Sequence, residues 1–197
     1  VGSVQVLGGQ IDIILLGLFR SSDEVGIYKV AFQSAILVTI GISAINTVIA
    51  PKISILYYEN KINILKSLIY KYNRVIIFIS SPIALLLLLF GDQFIKTLFG
   101  EEYIMGYTPL IILVFGRLVD AIFGVITVVV KMTGYEKSAA FGIVIGSVVN
   151  LVLNLLLIPK YGLVGAALAS TFGLITWNIY LYMQCVKKIN INILNNI

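Results

Sequence analysis

The sequence predicts an all-α integral membrane protein built as a six-helix bundle. Two observations carry that expectation. Of 197 residues, 59% are hydrophobic and only 12% charged, and the mean hydropathy of +1.03 lies far from the habits of soluble domains. Apolar runs also recur at lengths near the roughly 20 residues that carry a helix across a hydrocarbon core about 30 Å thick, with polar residues gathered between them.

The first span is expected over about 4–19 and holds Gln10 and Asp12 in its middle. The second covers about 28–50 and the third about 75–90. Sixteen residues rise only about 24 Å, so the third borrows length from Gln93 to Phe99 or sits in thinned membrane. The fourth runs over about 109–130, the fifth over about 139–158 and the sixth over about 163–185. Pro159, Lys160, Tyr161 and Gly162 make a tight corner between the last two, where proline ends one helix and glycine frees the next. Buried strands are the rival reading, but strands rarely exceed ten residues, and a membrane barrel alternates polar and apolar positions. "VVNLVLNLLLI" and "IALLLLLF" do not alternate.

Residues 53–73 fall between the second and third spans. Ile62, Leu65, Ile69 and Tyr72 share one helical face, with Lys61, Lys66, Lys71 and Arg74 on the other sides. This predicts an interfacial amphipathic segment on the inner leaflet, its lysines toward the headgroups of membrane lipids. Residues 1–188 then make the bundle and 189–197 a cytoplasmic tail.

Orientation follows from the basic residues, since short loops rich in Lys and Arg stay on the cytoplasmic side. One set of loops and the tail hold Lys52, Lys61, Lys66, Lys71, Arg74, Lys131, Lys137, Lys187 and Lys188. The opposite loops hold Arg20, Lys96 and Lys160 beside Asp23, Glu24, Asp92, Glu101 and Glu102. Both termini are therefore expected in the cytoplasm. The net charge of +5 is mostly this topology signal, and nucleic acid is not an expected partner.

Several function classes are excluded by what the chain lacks. It has no histidine and one cysteine, Cys185, so zinc sites, disulfide frameworks and Cys/His nucleophile pairs are not available. No phosphate-cradling glycine loop of the G-x-x-x-x-G-K-[ST] type is present. The longest outer loop, Gly91 to Thr108, is too short for a catalytic domain, and neither an enzyme nor a bound cofactor is expected. Val1 opens inside an apolar stretch without the basic region of a signal peptide, and the chain reads as a fragment.

Four segments together carry a family resemblance. "LFGEEYIMGYTPLIIL" from Leu98 resembles a Leu-Phe-Gly-x-x-Tyr signature of bacterial polysaccharide exporters of the O-antigen flippase type. "GGQIDIILLG" from Gly8 is similar to the entry of their seventh span, and "EVGIYKVAF" from Glu24 to the start of their eighth. "NLVLNLLLIPKYGLVGAALAST" from Asn150 resembles their eleventh and twelfth. The resemblance implies the multidrug/oligosaccharidyl-lipid/polysaccharide exporter superfamily, helical proteins of twelve or more spans built as two six-helix bundles around a cavity. This chain would be the second bundle, in the inner membrane of a bacterial cell, with the N-terminal six-helix bundle missing. The implied activity is the flipping of a polyprenyl-pyrophosphate-linked oligosaccharide from inner to outer leaflet by alternating access. A lipid II flippase, a cation-coupled multidrug exporter and, from another class, an integral-membrane glycosyltransferase or polymerase stay open.

A lipid-linked oligosaccharide needs fixed positive charge for its pyrophosphate, polar groups for its sugars and an apolar groove for its tail. Intramembrane charges are the place to look. Arg117 and Asp120 sit at i, i+3 on the fourth span. They form either a self-contained ion pair or a cavity site in which the Arg117 fork meets phosphate and Asp120 holds it. Asp12 has no basic residue three or four positions away; it is a helix-packing carboxyl, a cavity acid or a proton- or Na⁺-coupling site. Lys29, like Arg20, lies near an outer span end and either snorkels or meets substrate. Asn150 and Asn154, an i, i+4 pair on the fifth span, bond neighbouring helices or touch sugar. Gly162, Gly165, Ala166 and Ala169 space small residues for close helix approach.

Overall fold

The computed structural model describes residues 2–191, with side chains from residue 11 onward. Among these residues there are helices and no strands. The α-helices are α1 (Gly2–Phe19), α2 (Ser22–Ile36), α3 (Ile40–Tyr58), α4 (Ile62–Phe99), α5 (Tyr107–Ile122), α6 (Ile126–Met132) and α7 (Glu136–Ile189). Single 3₁₀ segments, Leu37–Thr39 and Glu101–Gly106, join α2 to α3 and lead into α5. Among the described residues, four helical stretches are long and apolar enough to cross a membrane: Ser22–Tyr58, Ile62–Phe99, Glu101–Ile122 and Glu136–Ile189.

The longest of these reverses on itself. Gly162 inside α7 adopts φ 54° and ψ −126°, outside the helical region and on the side of φ that favours glycine. The two limbs return antiparallel. Gly173 of the second limb lies so near the first that an added Cβ would stand 2.8 Å from the carbonyl oxygen of Gly146. One turn and a bit further along, Gly142 faces Trp177 and Leu181. Small residues let the backbones meet, which is how helices associate where no hydrophobic drive separates protein from lipid. The helix runs through Pro159 and ends at Tyr161, so glycine alone makes the break. Arg20 fastens this corner from α1: its Nη2 donates to the carbonyls of Ile158 and Pro159, 3.1 Å each. A cation at a helix C-terminus also complements the helix dipole. Arg20 therefore holds protein, where headgroup snorkelling was one expectation.

Contacts at the loops define two ends of the bundle. At one end Gly134 lies by the Tyr58 hydroxyl, and Lys188 reaches Ser138 at 2.8 Å and the Tyr135 ring at 4.8 Å. At the other, Arg20 and Glu24 meet Gly162, Gly26 meets Tyr103, and Gly106 meets Ile27. The Lys-rich loops thus share one end, and the loops bearing Asp23, Glu24, Glu101 and Glu102 share the other.

Residues 53–73 divide among the last turns of α3, a turn at Glu59–Lys61 and the start of α4. The expected stripe does not lie free: Leu65 and Ile69 are fully buried, packed with Ile49, Ile53 and Ile126. Its apolar face is covered by protein because α4 continues for 38 residues, about 57 Å at 1.5 Å per residue, and its first turns pack with residues of α3 and α6. Such a helix is longer than the hydrocarbon core. The expected third span at 75–90 is its middle, followed by a kink at Phe90 (φ −126°, ψ 15°).

Each interruption of a helix frees backbone carbonyls that lipid cannot satisfy. Neighbouring side chains take them up. Ser80 of α4 donates to Val38 O in the first 3₁₀ segment at 2.8 Å. At the break between α5 and α6, Asn73 donates to Ile122 O at 3.0 Å and Asn46 to Gly124 O at 2.9 Å. The Tyr107 hydroxyl donates to Leu88 O, beside the Phe90 kink, at 2.9 Å.

Two buried apolar clusters result. One, around Ile53, Ile69, Val129 and Cys185, fills the Lys-rich end. The other, around Leu16, Ala31, Leu110 and Ala166, fills the opposite half. Phe78, Leu86, Leu89 and Leu156 stay exposed on the outside, as a surface facing acyl chains requires.

Candidate functional site

Asp12 is the centre of the first polar group. Its carboxylate is fully buried between α1, α2 and both limbs of α7. Oδ2 accepts from the Tyr28 hydroxyl at 2.9 Å and from the Ser170 hydroxyl. Oδ1 accepts from Asn150 Nδ2 at 2.8 Å and from Asn154 Nδ2 at 2.6 Å. The antiparallel hairpin is what brings these together, because Asn150 and Asn154 share a face one turn apart while Ser170 lies opposite on the returning limb. Their amide oxygens, Asn150 Oδ1 and Asn154 Oδ1, are buried without a hydrogen-bond partner. Asn154 is fully buried and Asn150 nearly so. Both asparagines therefore serve Asp12 first, and Asn150 alone also borders the adjoining cavity.

The second polar group stands on α5 and the returning limb of α7. Gly116 approaches Thr171 so closely that a Cβ there would lie 2.9 Å from Thr171 Oγ1, and that hydroxyl donates to Ile112 O at 3.1 Å. The contact fixes Arg117, the next residue, at the cavity wall. Each member of the i, i+3 pair has another partner: the Arg117 guanidinium lies 5.3 Å from the Phe32 ring centre, a cation–π distance, and Asp120 Oδ1 accepts from Asn178 Nδ2 at 3.0 Å. An expected closed ion pair is in this way replaced by two separate tethers.

Two cavities adjoin here. The larger, about 640 Å³, is bordered by Lys29, Gln33, Arg117, Asn150 and Ser170 among apolar side chains such as Ile13, Phe32 and Leu113. The smaller, about 500 Å³, holds Asn46, Asp120, Thr127 and Lys131. Arg117 and Trp177 border both. Of the residues expected at a site, Lys29, Arg117 and Asn150 thus share one cavity, Asp120 shares the next with Arg117, and Asp12 and Asn154 lie behind the wall.

Sequence reasoning missed Tyr28, Ser170 and Trp177. For the first two a signal existed: an unpaired buried acid demands donors, and Asn150 with Asn154 was a donor pair in search of an acceptor. Trp177 gave none, since a single tryptophan in an apolar span reads as core.

The family described as "Polysaccharide biosynthesis protein" matches residues 2–106. This chain belongs to that family. Among individual relatives, a probable low-salt glycan biosynthesis flippase of Haloferax volcanii is 27% identical over 162 residues, covering 82% of this chain and 34% of that one. A capsular polysaccharide biosynthesis protein of Staphylococcus aureus is 31% identical over 163 residues, covering 82% and 40%. The chain thus spans about a third of the length of the curated relatives it matches. A crystal structure of a MATE transporter in the bent conformation superposes with a TM-score of 0.76 at 20% identity, over 94% of this chain and 42% of that one. The chain therefore has a MATE transporter-like helical fold and is a multi-pass membrane protein.

Proposed function

We propose that this chain is the second six-helix bundle of a non-enzymatic exporter that flips a polyprenyl-pyrophosphate-linked oligosaccharide across the cell membrane by alternating access. In this reading the chain crosses six times, with the Lys-rich end and both termini in the cytoplasm of a bacterial cell. The observation that carries it is the pairing of Lys29 and Arg117 on one cavity of about 640 Å³, among uncharged polar side chains such as Gln33 and Asn150 and apolar ones such as Phe32 and Leu113. Bare phosphate does not cross hydrocarbon, and a guanidinium fork held by Phe32 in a low-dielectric cleft binds its oxygens in two places at once. Two cations in the cavity also disfavour a cationic drug as cargo.

Asp12 is the ion-coupling group in this reading. Its carboxylate is fully buried and held by four neutral donors, so a proton or small cation arriving there would balance a charge that those donors only solvate. Export of surface polysaccharide tests both roles. Arg117→Ala and Lys29→Ala, at wild-type expression, are expected to lower export at least about tenfold, and Asp12→Asn to abolish its dependence on the ion gradient. Normal export by Arg117→Ala and Lys29→Ala together would remove the cavity cations from the mechanism.

A further inference from the structure

We propose that the smaller cavity is a sugar subsite, in which a pyranose ring of the cargo rests against Trp177 while its pyrophosphate lies at Arg117. The inference rests on the exporter reading and adds to it where the glycan goes.

The order of the cavities matches the order of the cargo. A lipid-linked sugar is a chain of three chemistries: hydrocarbon, pyrophosphate, hydroxylated ring. Arg117 borders both cavities; the larger is the more apolar, with Ile13, Phe32 and Leu113 beside its polar Lys29 and Gln33, and the smaller carries Asn46, Asp120, Thr127 and Lys131. A pyrophosphate held at Arg117 therefore directs its lipid toward the larger and its sugar toward the smaller.

The smaller cavity suits a sugar better than its competitors. It mixes donors with acceptors, which is what a ring of hydroxyls asks for. A second phosphate would meet the Asp120 carboxylate, a bare metal cation would meet Arg117 and Lys131, and an acyl chain would strip water from all of them without return. Two of the residues lining it carry a buried polar atom with no partner in the protein: Asn46 its Oδ1, an acceptor, and Trp177, which it shares with the larger cavity, its Nε1, a donor. Asn46 turns its amide nitrogen to Gly124 O at 2.9 Å, so its oxygen is the end that a small side-chain movement would offer to a ligand. A buried indole N–H ordinarily finds an acceptor. The Trp177 ring is also held in place, since Gly142 and Gly146 of the opposite limb lie against its Cδ1 and Cβ. A fixed aromatic face beside unpaired donors and acceptors recognises the apolar side and the hydroxyl edge of one ring. At about 500 Å³ the cavity is within the range of small-ligand sites.

The test compares two probes on the purified protein carrying this chain in lipid nanodiscs: bare polyprenyl pyrophosphate, and the lipid-linked repeat unit extracted from the cells of origin. Wild type is expected to bind the glycosylated lipid about tenfold more tightly. Trp177→Phe, which keeps a ring but loses the N–H, and Thr127→Val, an isosteric loss of one hydroxyl confined to the smaller cavity, should each reduce that preference by about two- to tenfold. Both should leave the affinity for bare lipid within about twofold. Equal binding of the two probes by wild type, or an unchanged preference in both variants, overturns the sugar subsite and leaves the exporter reading standing. So does an equal loss for both probes in Trp177→Phe. Binding of neither probe overturns both.

Discussion

Asp12 and Asp120 are both carboxylates inside an apolar bundle, yet they are satisfied in opposite ways. Asp12 collects four donors from α2 and both limbs of α7 and is closed off from the cavities. Asp120 has one side-chain donor, Asn178, and faces a cavity. A saturated acid ties helices together; a partly satisfied one stays free to meet something that arrives. The difference marks the Asp12 region as the frame, which a coupling ion enters only by displacing these donors, and the Arg117 region as the working surface that meets cargo.

The largest effect on stability should come from breaking the frame. Asp12→Ala leaves two amides, a tyrosine hydroxyl and a serine hydroxyl without their acceptor, in surroundings that offer no water. Unsatisfied buried groups cost about 1–3 kcal/mol each in soluble proteins and less in membranes, where the unfolded helices find other partners. A net loss of about 2–4 kcal/mol is expected, measured as thermal unfolding of the detergent-solubilised protein. An unchanged melting temperature would mean that Asp12 ties nothing together.

A smaller loss is expected where the frame is touched through its backbone. Gly173→Ala places a methyl 2.8 Å from both the Gly146 carbonyl oxygen and the Asn150 Cβ. The limbs must part by some tenths of an ångström, and Asn150 must move away from Asp12. Overpacking of this kind costs about 1–3 kcal/mol. Coupling sharpens the comparison: in a double mutant with Asp12→Ala the two losses should sum to less than their separate values, because both remove the same Asn150 contact. Strict additivity would separate the hairpin from the acid.

How much of this could be read in advance follows from which interactions are local. Gly162 announced the hairpin, since a glycine after proline between two apolar runs is a chain-local signal, and the lysine distribution foretold which loops share an end. Arg117, Lys29 and Asp12 stood out because charge inside an apolar span is rare whatever surrounds it. What escaped was everything decided by a distant partner. For Asn154 the sequence leaves open a bond to a neighbouring helix or a sugar contact, because an amide 142 positions from Asp12 cannot be paired with it until the limbs fold back. Asn73 and Ser80 cap breaks in other helices, and nothing near them in sequence says that those helices break. The stripe of Leu65 and Ile69 was given to the membrane surface because periodicity reports an apolar face without saying whether lipid or protein covers it.

On the working surface, Asn178→Leu should matter less to the fold. It removes one tether of Asp120, and Asn178 Nδ2 also bonds Leu174 O within its own helix. Interhelical hydrogen bonds in membranes average about 0.6 kcal/mol, so a stability loss of about 1 kcal/mol or less is expected, by the same unfolding measurement. A loss as large as that of Asp12→Ala would erase the distinction between the two acids.

Arg117→Lys should have the smallest effect on stability and a clear one on export. Lysine keeps the charge and most of the length, so the fold should change by less than about 0.5 kcal/mol. It loses the planar fork, however, and with it both the stacking on Phe32 and the paired hydrogen bonds a phosphate accepts. If Arg117 belongs to the working surface, export by Arg117→Lys should fall nearly to the level of Arg117→Ala while the melting temperature stays at the wild-type value. Were the two to change together, Arg117 would be acting through packing on Phe32, and the working surface would lose its central residue. A polysaccharide export assay read beside thermal unfolding separates these outcomes, because a structural arginine moves both measurements and a ligand-binding one moves only the first.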